Sequence, residues 1–128
     1  MGILSKLFGG KKTAGSETGA AEQAVLLHLK LGNDGFGLEG EVARMHALQE
    51  ELERAIQTAD AGELDGDEFG GGECVVFMYG PDAEKLWAAI EPVLARDTFR
   101  QGSYAVKRFG GPEDGRKERI DLAVAGGR

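Results

Sequence analysis

Residues 73–79, ECVVFMY, limit the possible folds of this chain more than any other stretch. Cys74, Val76 and Met78 form one alternating set, and Val75, Phe77 and Tyr79 form the other. A strand with one polar set can leave that face in water. A strand apolar on both sets needs partial cover on both faces, so it belongs in the middle of a sheet. The fold must therefore supply a strand on either side of this segment.

The first neighbour lies just upstream. Residues 62–69, GELDGDEF, read as a strand, and Gly70, Gly71 and Gly72 connect it to the central one. Glycine accepts positive φ at a tight reversal, so a hairpin is expected. The second neighbour is residues 24–31, AVLLHLKL. There Val25, Leu27, Leu29 and Leu31 share one face, and Leu26, His28 and Lys30 share the other. Between these strands, Val42, Met45, Leu48, Leu52 and Ile56 recur at helical spacing. They predict an amphipathic helix over about residues 40–59, with Glu39 and Glu41 suiting its N-terminus.

After the central strand comes GPDAEKLWAAIEPVLARD. Asp82 is the expected N-cap, and Leu86, Trp87, Ile90, Val93 and Leu94 form the expected buried stripe. Pro92 lacks an N–H and is expected to kink or end the helix. SYAVKRFG and KERIDLAV are two further alternating segments, joined by the turn signal GPEDG. The order is β-α-β-β-α-β with one additional C-terminal strand. That is the ferredoxin-like α+β arrangement, with two helices on one face of an antiparallel sheet and strands one and three central.

Residues 1–23 are expected to be a flexible tail, residues 24–125 a single α+β domain, and residues 126–128 a loose end. Residues 9–23 show no apolar period. Ile3, Leu4, Leu7 and Phe8 could line a short helix touching a membrane surface or a partner, although eight residues rarely hold a helix in water. Gly2 is followed by Lys6 where a myristoylation motif needs Ser or Thr. No apolar run approaches the ~20 residues of a membrane span, and no secretory apolar core is present. The single cysteine, Cys74, excludes an intramolecular disulfide and fits a cytoplasmic location.

The net charge of −7 is concentrated after residue 23. A domain so acidic repels phosphate backbones, which argues against nucleic-acid binding and favours a basic partner. Six acids lie from Asp60 to Glu73 with no Lys or Arg among them. Arg100, Lys107, Arg108, Arg116, Lys117 and Arg119 follow in the last third. The proposed topology places these groups at opposite sheet edges.

The acidic hairpin invites three sharper readings. Asp65, Asp67 and Gly70 match part of a calcium loop, but Phe69 and Val76 occupy positions that must supply oxygen. A phosphate cradle lacks its Lys and would place Glu68 and Glu73 beside the anion. An RNA platform would need a basic residue, glycine and an aromatic where Gly71, Gly72 and Glu73 stand. No catalytic motif occurs, His28 and His46 have no orienting partner at a telling spacing, and Cys74 starts an apolar strand. No cofactor or metal is expected.

The expected binding candidates are Asp65, Asp67, Glu68 and Glu73 on the acidic hairpin, with His28 and Lys30 on the uncovered sheet face. That face would also carry Val75, Phe77 and Tyr79, or else Cys74, Val76 and Met78. It could meet another protein or a second copy of the chain, unless the last strand shields it. A small ligand or metal at Asp65–Glu73 is the alternative.

ELDGDEFGGGE, FMYGPDAEKLW and AIEPVL together resemble segments of a group of small uncharacterised bacterial proteins. The resemblance spans about residues 24–124. It implies a compact α+β domain and brings no site residues with it.

Overall fold

In the computed structural model of the protein, residues 22–111 and 115–122 are described. The expectations for the apolar start and linker, for the middle of the GPEDG turn and for the loose end lie outside these residues. The elements are β1 (Gln23–Lys30), α1 (Glu41–Ala59), β2 (Glu63–Gly70), β3 (Glu73–Gly80), α2 (Ala83–Ala95), β4 (Tyr104–Arg108) and β5 (Lys117–Asp121). They form one five-stranded sheet in the order β2-β3-β1-β4-β5. Every neighbouring pair is antiparallel. This is the ferredoxin-like β-α-β-β-α-β order with one strand added, and β1 and β3 are central, as the alternation predicts.

Register decides which face of β3 is covered. Val25, Leu27 and Leu29 of β1 stand opposite Met78, Val76 and Cys74. These six pack with Met45, Leu48, Leu52 and Ile56 of α1 and Leu86, Ile90, Val93 and Leu94 of α2 in one core cluster. Each fully buried aliphatic side chain contributes about 1.5–3 kcal/mol, so this layer dominates stability. Val42, expected in the α1 stripe, is 39% exposed. It lies on the first turn, and the buried positions begin one turn later at Met45.

The two helices are bounded differently. The Asp82 carboxylate accepts from the backbone N–H groups of Glu84 and Lys85, as an N-cap should, a contact typically worth ~1 kcal/mol. Gly40 caps α1 without a side chain. Glu41 instead turns back and accepts from the N–H groups of Gly32 (2.9 Å) and Leu38 (2.7 Å). Arg100 donates to its other oxygen at 3.0 Å. α1 ends at Asp60 in the left-handed region (φ 53°). Pro92 neither ends α2 nor stops its stripe: the helix continues to Ala95. The bond that Pro92 cannot give would go to the carbonyl of Ala88, an exposed residue.

The β2–β3 turn is tighter than the expected three-glycine connection. Gly70 stays in the ladder opposite Glu73, leaving Gly71 (φ 61°) and Gly72 (φ 82°) as the turn. Two successive positive φ values are what a two-residue hairpin requires. The turn also docks. Gly72 N–H donates to Gly35 O at 2.9 Å, and Gly72 O accepts from Leu31 N–H at 2.8 Å. A Cβ on Gly72 would stand 2.8 Å from the Asn33 carbonyl oxygen, so glycine is needed for space as well as for φ.

At the far edge, β4 and β5 pair from Tyr104–Asp121 to Arg108–Lys117. β5 extends the sheet sideways. It does not shield the uncovered face.

Candidate functional site

The face of the sheet away from the helices is built row by row by the register. In one row, Glu63, Tyr79, Ala24, Arg108 and Lys117 follow across the five strands. The next holds Gly66, Phe77, Leu26, Val106 and Arg119. A third holds Glu68, Val75, His28, Tyr104 and Asp121. Lys30 and Glu73 close the face beyond it. The centre is thus apolar and aromatic. The β2 margin is acidic. The β4–β5 margin carries three cations and Asp121.

The aromatic part is ordered by stacking. The His28 and Tyr104 rings lie 4.5 Å apart and within 8° of parallel. The Arg119 guanidinium sits 3.8 Å from the Tyr104 ring centroid, and its Nε donates to Asp121 at 2.9 Å. His28 Nδ1 approaches Glu73 Oε1 at 3.5 Å without forming a hydrogen bond. Burial pushes the Tyr79 phenol upward, Asp65 adds to this, and Arg108 opposes it, leaving it above its ordinary value.

His28 and Lys30 lie on the open face, as expected, and Glu68 and Glu73 of the hairpin join them there. Asp65 and Asp67 do not join them. A bulge between Leu64 and Gly66 leaves Asp65 unpaired and exposed. The same bulge flips the parity of β2 and turns Asp67 toward the helices. There Gln49 Nε2 donates to Asp67 at 2.7 Å, and His46 Nε2 stands 3.3 Å from the same oxygen. The His46 ring also meets Phe69 edge-on at 5.9 Å. Both histidines thus have neighbours that sequence spacing did not reveal, because each contact crosses between elements.

Tyr104, Val106, Arg108, Lys117 and Arg119 were missed as members of the face. The alternation of SYAVKRFG already groups Tyr104, Val106 and Arg108. Their place beside His28 and Leu26 depends on register, which that alternation does not contain.

The remaining reactive groups are held in structural roles. Cys74 is buried, and its thiol is pushed up to about 12 by burial, with Asp67 and Glu73 adding to it. Lys107 is 7% exposed on the covered side. Burial alone would lower its pKa, but Glu84 (3.0 Å) and Glu118 (3.4 Å) outweigh it and raise the ammonium above the ordinary lysine value. A groove of about 630 Å³ between α1 and α2 is lined by Arg54, Thr58, Ala89, Pro92 and Arg96 among others. Among the described residues no three His, Cys, Asp or Glu side chains gather as metal ligands would. No described helix is long and apolar enough to cross a membrane.

Comparison with protein-family models, with curated proteins and with solved structures gives no match to this chain.

Proposed function

We propose that the chain is a non-enzymatic, cytoplasmic protein-interaction module, and that the open sheet face is its recognition surface. One observation carries this: an apolar centre of Leu26, Val75, Phe77 and Val106 is bordered by Glu63 and Glu68 along β2 and by Glu73 at the end of β3. Apolar area supplies affinity, and the acidic margin selects a partner with basic groups. An accessory or immunity-type protein that neutralises a basic partner is the concrete form. The kinship with small bacterial proteins belongs to the same proposal. The aromatic rings alone would suit nucleobases, but carboxylates on their border repel the phosphates that come with them. A ligand or metal in the Asp65–Glu73 hairpin is less well supported, because Asp67 points under the sheet while Glu68 and Glu73 lie above it.

The test compares the full chain with Glu63→Lys/Glu68→Lys and, separately, with Phe77→Ser, as baits in extract of the native host. Circular dichroism checks that each bait is folded. The reading expects both variants to lose a partner that the parent recovers. Equal recovery by all three would sink it.

A further inference from the structure

The face has an unusual relation to itself. Its acidic margin (Glu63, Glu68) lies on β2 and its basic margin (Arg108, Lys117, Arg119, with Asp121 among them) on β4 and β5; Glu63 and Lys117 end one row, while Glu68 shares its row with Asp121 and Arg119 shares its row with Gly66. The apolar centre lies between them. No ion pair among the described residues engages Glu63, Glu68 or Lys117, so these charges are available to a partner.

Building on the reading of this face as an interaction surface, we propose that its occupant is a second copy of the chain, packed face to face. Two identical faces can meet about a twofold axis lying in the interface. An axis across the strands would set β2 over β2 and acid over acid. An axis along the strands exchanges left and right, so β2 of each copy lies over β5 of the other. Glu63 then faces Lys117 of the second copy, in the same row, and the contact occurs twice. Glu68 faces Asp121 of the second copy in its own row, a like pair offset by Arg119, whose Nε donates to Asp121 at 2.9 Å from the neighbouring row. β1 lies on the axis, so Leu26 meets its own counterpart at the centre of the face, and so does Lys30 at its exposed end, where Glu73 of the neighbouring strand stands beside it. Strands then run nearly parallel between the sheets, which is the aligned mode of sheet packing at about 30°.

The size suits a weak dimer. Three strands of eight residues and two of five, about 4.8 Å apart and rising about 3.4 Å per residue, give a face of about 550 Å². That lies below the ~800 Å² per partner of a standard interface, in the range of weaker association.

The experiment is sedimentation velocity on the full chain from micromolar to millimolar concentration. The parent is expected to be a dimer. Glu63→Lys alone and Lys117→Glu alone should each weaken it about tenfold, since two attractive contacts become repulsive. Mixing the two variants should restore a dimer of parental strength, because both contacts are again opposite in sign in the mixed pair. Leu26→Arg, which sets like charges at the axis, should give monomer.

A parent that stays monomeric overturns the proposal. If Phe77→Ser still abolishes capture of another protein, the face remains an interaction surface and only the second copy is lost. A dimer indifferent to both reversals and to Leu26→Arg also overturns it. If capture is equally indifferent to Phe77→Ser, the wider reading fails too.

Discussion

Gly71 and Gly72 look interchangeable in the sequence, yet they differ in what surrounds them. Both hold positive φ, which costs an L side chain roughly 1 kcal/mol. A Cβ on Gly71 meets nothing within 4 Å, whereas one on Gly72 meets backbone of Asn33 and Asp34. Gly71→Ala should therefore cost about 1 kcal/mol and Gly72→Ala visibly more. Urea denaturation of both variants checks the order; equal losses would mean that loop 31–40 gives way freely. Asp60 offers the opposite case. It is the one non-glycine residue with positive φ among those described, and its carboxylate sits at the negative end of α1. Asp60→Gly relieves both, and a gain of about 0.5–1 kcal/mol is expected in the same measurement.

At the scale of elements, the two helices were legible because 3.6-residue periodicity is a local property. The strand order was legible because only β1 and β3 are apolar enough to be central. The inward set of β3 was not, since both of its sets are apolar and pairing with Val25, Leu27 and Leu29 makes the choice. The site residues were read less well. Simple alternation groups Glu63, Asp65 and Asp67, but one extra residue in β2 puts Glu63 and Glu68 on one face and Asp67 on the other. Helix α2 carries its own test. Pro92 withholds a bond in a helix that continues beyond it, so Pro92→Ala should stabilise the protein by up to about 3 kcal/mol. A melting temperature that does not rise would show that the chain has already relaxed around the ring.

For the whole molecule, two carboxylate–cation clusters bracket the pH range of stability. Burial works to raise the Glu41 carboxyl, but the Leu38 and Gly32 N–H groups and Arg100 hold it below the ordinary value. Its contribution is present above the unfolded value of about 4.3 and is lost as pH falls through the lower folded one. Lys107 is shifted upward. Its contribution is complete below the unfolded value of about 10.4 and is lost as pH rises through the higher folded one. Lys107→Met removes the cation and leaves Glu84 and Glu118 without it, so stability near neutral pH should fall modestly, by about 1 kcal/mol, because both carboxylates reach water. It should also flatten the alkaline decline. Urea midpoints taken across the alkaline range decide this; a decline as steep as the parent's would move its origin away from Lys107.

Cys74 gives the molecule a built-in clock. It lies on the central strand in the core under the helix layer, and a thiol held near 12 has almost no thiolate at neutral pH. A disulfide reagent can therefore modify the folded chain only when the helix layer lifts away. With one thiol per chain, each labelling event counts one opening. The expected time course is a single exponential whose rate stops rising once labelling outpaces reclosing, and that plateau is the opening rate itself. A rate that keeps climbing with reagent would mean that reclosing outpaces labelling, and its slope would then report the opening equilibrium in place of the opening rate.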